Sequence, residues 1–497
     1  MLNALLTLGG LQLLTMLVLL LRTKTLAIIL GPDGVGLLGI VDKLLATVAQ
    51  TVSLSLPFAA VRFLPELWSR SQGEFVRIAR RMRNLLLLLS LIATLFGLAT
   101  TTFWPQLWGK ELLPYENIVF VGFLTLPVLV FVPFVQNVIA GRMAHNLSAL
   151  FGLGHAAILA LTGIAGVALG GLRTLYSLYA VLGLMLVILG TKSAAFASPA
   201  PKQRRTERSF AIDLPRRIWK FSFALWSLAF VMPFAALYVH YHVLRVFGIE
   251  VAGWMQAAMG VGLAVRSLLG SAHPFFLTPN VNRGGSKEER MQWANEFQKT
   301  FSFVCIVAVL PLLLFPHIVV MLLYSPEFLP AASLVAVFVI GEILTLLAGT
   351  YQALIVAFDH LVFHVAQNLI AQGVLVTVAV LLIRPYGVFG AGIAAICAQL
   401  ILYTGSTFYL RWRYGLKLPL RSALATLFIV MALGLAGLAG ALYSEFSWGI
   451  VLGKLSLYAI CLAGLGLFLT SADWAKLWQL GNSVRRRLCS AGVRGRN

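Results

Sequence analysis

"LRTKTLAIILGPDGVGLLG", residues Leu21 to Gly39, decides how this chain is read. Arg22 and Lys24 stand deep in an apolar run that begins at Leu2, and a glycine-rich turn separates that run from the next. A charge at the centre of a membrane span costs about 2.5–3.5 kcal/mol, so such charges face a cavity, a partner or the interface. The glycines do not follow a strand in a GxGxxG pattern and read as a tight turn between spans, not as a nucleotide loop.

The bulk composition agrees. The chain has 497 residues, 60% hydrophobic and only 11% charged, against about 25% charged in a soluble domain. Its mean hydropathy is +0.90. The formal net charge of +21 does not indicate nucleic acid, because the basic residues lie between apolar segments and not on one soluble face. Cys305, Cys397 and Cys461 stand alone in apolar runs and Cys489 in a basic tail, so no zinc or redox centre is indicated. The first apolar run lacks a basic leader and is too long for a cleavable signal, so it is expected to remain as a span.

Windows of about 20 apolar residues give about fourteen spans, an all-α polytopic membrane protein. The expected organisation is an N-terminal lobe at 1–195 (spans one to six), a basic linker at 196–217 and a C-terminal lobe at 218–415 (spans seven to twelve). Spans thirteen and fourteen follow at 416–472, and a basic tail at 473–497. Lysine and arginine crowd alternate connectors, from Arg70 to Arg83, Lys192 to Lys220, Arg283 to Lys299 and Arg411 to Arg421, and the tail. The opposite connectors hold Lys110, Arg173, Arg245 and Arg384 alone. That asymmetry places both termini in the cytoplasm of a multi-pass inner-membrane protein. The stretches 70–83 and 286–299 read as amphipathic surface helices drawn to anionic membrane lipid.

The two lobes also echo each other. A shift of about 217 residues lays Gly31 on Gly248 and Gly36 on Gly253, and a shift of about 216 lays Gln136 on Gln352. "FWP" at 103–105 and "LFP" at 314–316 end the third span of each half. Six spans per half make the halves parallel, related by an axis along the membrane normal, an arrangement that suits rocking around a central cavity.

The segment 22–39 resembles the first-span motif of Wzx-type flippases for lipid-linked oligosaccharides, which sit in the MOP superfamily with the MATE exporters and the lipid II flippase. "VAGWMQAAMGVGLAVRSLLGSAHPFFLTPNVNR" at 251–283 and "LLYSPEFLPAASL" at 322–334 resemble the same family, and the likeness covers most of residues 3–415. The resemblance implies a two-lobed bundle that carries undecaprenyl-pyrophosphate-linked sugar, an O-antigen or exopolysaccharide repeat unit, from the cytoplasmic to the periplasmic leaflet by alternating access. It implies a polysaccharide polymerase and a chain-length regulator as partners, no cofactor, and proton or sodium coupling as the open energetic question.

Candidate residues follow from position. Arg22 shares a helical face with Gln12 and Thr15, as a cavity wall would. Lys24 points about 200° away and either snorkels or pairs with Asp42 on span two. Under the repeat register, His240 and His242 on span seven replace the Arg22–Lys24 neighbourhood and supply charge conditionally. Arg266 and His273 share a face of span eight, with Arg266 too deep to snorkel easily. Arg62 closes span two, where it either meets substrate or anchors the span. Glu342, Thr345, Gly349 and Gln352 form one stripe on span ten; Glu342 either binds a proton or Na⁺ or pairs with Arg266. Arginine suits a pyrophosphate because its planar fork donates in pairs.

Nothing indicates an enzyme: there is no Walker loop, HExxH or credible GxSxG. A polymerase or ligase of the same sugars would need a larger loop on the periplasmic side. A MATE-type drug exporter would favour an acidic cavity, and here deep cations outnumber deep acids. A peptidoglycan-precursor flippase shares the expected fold and chemistry.

Overall fold

The computed structural model describes residues 2–101, 110–192, 213–270, 286–415, 428, 431–440 and 447–466. Among them there is no strand. Lipid offers no hydrogen bonds, so the chain must satisfy its own backbone, and a helix does so within each segment. Even the hydroxyls comply: Thr15, Thr23, Thr47 and Thr51 each donate to the carbonyl four residues back.

The N-terminal lobe contains α1 (Leu2–Val52), α2 (Leu56–Arg70), α3 (Gln72–Ala99), α4 (Glu116–Phe123), α5 (Leu126–Gly141) and α6 (His145–Gly190). The C-terminal lobe contains α7 (Arg216–Phe247), α8 (Ile249–Gly270), α9 (Lys287–Leu314), α10 (Pro316–Leu323), α11 (Ala332–Ala357), α12 (Leu361–Tyr386) and α13 (Val388–Tyr414). Met431–Gly440 is α14 and Trp448–Gly466 is α15. Two buried apolar clusters form. One gathers Leu45, Phe75, Phe123 and Phe134, the other Met255, Ile306, Leu310 and Leu344. Each takes in residues of the other half: Leu237, Leu244 and Ala252 join the first, Ala27 and Val35 the second.

Among the described residues eight helices are long and apolar enough to cross a membrane, or nine if the pair α4 and α5, bent by 43°, is one span. Two of the eight do more than that. At 46 residues α6 is about 69 Å long, over twice the hydrocarbon thickness. It breaks at Gly170 and Gly171, and α1 breaks at Gly31. Spans one and two, expected as separate helices, are therefore the two arms of α1, and spans five and six the arms of α6. Spans thirteen and fourteen meet α14 and α15; the rest of those stretches and the tail at 473–497 lie outside the described residues.

Two expectations are corrected. The stretches 70–83 and 286–299 are not separate surface helices. Each is the start of a longer helix, α3 and α9, capped by Ser71 and Ser286. An amphipathic start and an apolar continuation share one helical period, so nothing ends the helix at the interface. The basic linker expected at 196–217 ends sooner, because α7 begins at Arg216; residues 193–212 are outside the described set.

The backbone repeats with the offset found in the sequence. Gly31 (φ 62°, ψ −175°) and Gly248 (φ 89°, ψ 179°) break the first helix pair of each half. Gly171 (φ 71°, ψ −161°) and Gly387 (φ 62°, ψ −146°), 216 residues apart, break the last. These angles belong almost only to glycine. Met143 and Asp359, also 216 apart, both have positive φ.

The lobes meet through equivalent residues. A Cβ on Gly36 would stand 2.3 Å from the Ile249 carbonyl, and one on Gly253 would stand 2.0 Å from the Pro32 carbonyl. Under the 217 shift these two contacts are the same contact made in both directions, the mark of a two-fold interface. Gly39 lies against Gln256, its own counterpart, at 2.8 Å from an added Cβ. Residues that touch their own equivalents lie beside the axis relating the halves. That axis runs between α1 and α8, near the ends that carry Gly31 and Gly248.

Candidate functional site

Three polar groupings occupy the middle of the helices. In the N-terminal lobe, Arg22 on the first arm of α1 and Asp42 on the second face His155, Tyr176 and Tyr179 of α6, all within electrostatic reach of Arg22. The Tyr176 hydroxyl donates to Asp42 Oδ1 at 2.8 Å, and His155 Nε2 and the Tyr179 hydroxyl are 2.9 Å apart. Gly163 makes room for Arg22: a Cβ there would be 3.1 Å from Nε. That Nε is buried with no hydrogen-bond partner. Asp42 stands mid-way along α1, surrounded by the lobe, and is still exposed.

The second grouping joins the lobes. Lys43 Nζ donates to Gln256 Oε1 at 2.8 Å and to His240 Nδ1 at 2.7 Å, with Met259 Sδ at 3.7 Å. An ammonium has no acceptor, so His240 accepts on Nδ1 and carries its proton on Nε2. His240 is fully buried, and its Nε2 has no partner. Sequence reading missed Lys43. The signal for it is a lysine directly after Asp42 in an apolar span.

The third lies in the C-terminal lobe. Arg266 Nη1 on α8 donates to Glu342 Oε2 on α11 at 3.1 Å, with the two side chains 48% and 20% exposed. Gly262 allows the approach, since a Cβ there would lie 3.2 Å from Glu342 Cγ. Of the two roles left open for Glu342, the structure displays the pairing, and Arg266 is correspondingly neutralised.

The remaining candidates scatter. Lys24 does not pair with Asp42: its Nζ donates to the Leu322 carbonyl of α10 at 2.9 Å, because it leaves α1 on the opposite side. His240 and His242, two residues apart on α7, point in different directions and form no joint site. His242 stacks on Tyr238 with ring centroids 6.1 Å apart, its Nε2 buried and unpartnered. Arg62 sits at the seam on the arginine-rich face, 3.7 Å from Asp359 and 5.4 Å over the Phe221 ring. Gln352 is half-buried, with Nε2 unpartnered. Thr345 turns back to Gly341 and not toward Glu342. His273 lies outside the described residues.

Counted together, Arg22, Lys43 and Arg266 set three cations mid-span against two acids, Asp42 and Glu342, a net charge of +1 with histidine neutral. The lobes are shut at the face of Gly31 and Gly248, where α1 and α8 touch and Lys24 reaches α10. On the opposite, arginine-rich face they are bridged by the longer Arg62–Asp359 contact and by Trp226, whose Nε1 donates to the Thr51 carbonyl at 2.8 Å.

No family model and no curated protein matches the chain in sequence. Solved structures do match in shape. The lipid II flippase MurJ, in an inward closed conformation, aligns with a TM-score of 0.66 at 12% identity, over 93% of this chain and 97% of that one. An inward-facing multidrug-resistance MATE transporter of the MOP superfamily aligns with a TM-score of 0.58 at 14% identity, over 80% of this chain and 94% of that one. A MOP-superfamily transporter from Pyrococcus furiosus, described as having a binding pocket of reversed polarity, aligns with a TM-score of 0.54 at 14% identity, over 82% and 95%. The chain is an all-α polytopic membrane protein with the fold of MOP-superfamily transporters.

Proposed function

We propose that this protein moves a lipid-linked oligosaccharide, joined to its lipid through a pyrophosphate, from the arginine-rich side of the membrane to the other by alternating access. The carrying observation is the set of deep cations, Arg22 inside the N-terminal lobe and Lys43 at the seam of two lobes that are shut at one face. Arg22 keeps an unpartnered donor and Lys43 is held only by neutral acceptors, so each can turn to a phosphate. In water-poor surroundings such contacts are stronger than at a surface. The sugar would pass between the lobes, while the prenyl carbons stay in lipid. The arginine-rich face is then cytoplasmic. No bond is made or broken.

The lipid II flippase and the MATE exporters share this fold. What favours the flippase reading over a drug exporter is the net positive interior, which disfavours a cationic drug. Whether the sugar is a polysaccharide repeat unit or a peptidoglycan precursor is decided by the glycan itself. The test is leaflet-specific labelling of lipid-linked glycan in cells lacking the protein. Glycan should accumulate on the cytoplasmic leaflet, with rescue by wild type and not by a stably expressed Arg22→Ala. Normal outer-leaflet glycan in the deletion strain would overturn the proposal.

A further inference from the structure

A second basic site lies away from the mid-span groups, on the arginine-rich face. A cavity of about 340 Å³ opens between the end of α2, the start of α3 and the start of α7. Four arginines line it, Arg70, Arg77, Arg81 and Arg217, with only Glu66 and Glu74 opposing them, a net charge of +2. The four are not equivalent. Glu66 already holds Arg70 at 2.9 Å and reaches Arg217 at 4.0 Å. Arg81 spends one N–H on the Asp213 carbonyl at 3.0 Å, and Arg77 has no hydrogen-bond or ion-pair partner among the described residues. Arg77 and Arg81 are four apart on α3, so their guanidinium groups share one side of the helix.

The floor of this cavity is apolar and buried: Phe63, Ile78 and Ile218 are 6%, 8% and 3% exposed. Charged heads over a greasy floor, at the point where α3 and α7 begin their runs into lipid, match a molecule with an anion at one end and hydrocarbon at the other. We infer that Arg77 and Arg81 clamp the headgroup phosphate of an acidic membrane phospholipid, seated in this cavity on the seam side of α2. Arginine is suited to the task because its fork meets a phosphate with two parallel donors. The inference goes beyond the transport reading and does not depend on it, since the site concerns a resident lipid and not the cargo.

The test uses the purified full-length chain in neutral detergent, followed by thermal melting as short-chain phosphatidylglycerol, phosphatidylcholine or inorganic pyrophosphate is added. A ligand that binds only the folded state raises the melting temperature with its concentration. Phosphatidylglycerol should raise the wild-type midpoint and phosphatidylcholine should not. Arg77→Gln with Arg81→Gln should require about thirtyfold more phosphatidylglycerol for the same shift, the loss of two arginine–phosphate contacts. The milder Arg77→Lys with Arg81→Lys, which keeps the charge and protects folding, should fall between. Arg80→Gln, which removes one charge from an exposed neighbour outside the cavity, should behave as wild type. If the double glutamine variant responds like wild type, or Arg80→Gln weakens the response equally, a discrete site is overturned. If pyrophosphate alone shifts wild type as strongly as the lipid does, the site takes a soluble anion and the lipid assignment is overturned.

Discussion

Replacing Lys43 with methionine should open the shut face. The ammonium supplies the donor to both His240 Nδ1 and Gln256 Oε1. Methionine keeps the length of the chain but donates nothing, so two acceptors at the seam lose their partner. Leaving a buried acceptor unsatisfied costs at least about 1 kcal/mol, so the closed arrangement loses about 2 kcal/mol, roughly a thirtyfold shift in population. The open arrangement loses little, because water reaches both groups there. Spin labels at Asp33 and Glu250 read this directly in a cysteine-free background. Both side chains are exposed, flank the shut seam and are counterparts in the two halves. Dipolar distance measurements should show one short distance in the parent and a large long-distance fraction in Lys43→Met. Adding His240→Leu and Gln256→Leu removes the orphaned acceptors and should restore the short distance. An unchanged distribution in Lys43→Met would refute the assignment of Lys43 as a clasp between the lobes.

Gly253→Val should act in the same direction by bulk, since its Cβ would lie 2.0 Å from the Pro32 carbonyl; the same label pair should lose its short distance. Glu342→Ala should destabilise the protein modestly, by at most about 1 kcal/mol given the half-exposed Arg266, seen as a lowered melting temperature. The charge-swapped pair, Arg266→Glu with Glu342→Arg, should regain it; failure of the swap would refute simple pairing. Gly248→Ala should destabilise by about 1–3 kcal/mol through backbone strain alone, because no atom lies within 4 Å of the added Cβ. Chemical denaturation of the variant against wild type measures it. Tyr176→Phe should cost about 1 kcal/mol from the lost bond to Asp42, while Tyr238→Phe, on an exposed side chain, should be silent in the same melting assay.

The breaks between helices were legible because one residue type can occupy them. Gly31 and Gly248 sit at angles closed to other residues, so their spacing shows in the sequence. The bundle itself was legible for a similar reason: hydrocarbon forces helices on any long apolar run. Which cation meets which acid was not. Arg266 and Glu342 stand 76 residues apart, and no periodicity links separate helices. Lys43 follows Asp42 by one residue, yet about 100° of rotation sends one side chain into a lobe and the other across the seam. Facing direction at that resolution depends on how the lobes dock, and the docking is set by backbone contacts at Gly36 and Gly253 that carry no charge pattern.

The reciprocal fit of Pro32 with Gly253 and of Ile249 with Gly36 has a historical implication. A lone six-helix half bearing that proline-or-isoleucine and glycine pair, four residues apart, already holds both sides of the junction and could dock with a second copy of itself. The single chain reads as a fused homodimer whose original handshake is intact, and its two halves, produced as separate polypeptides, should find each other again through it.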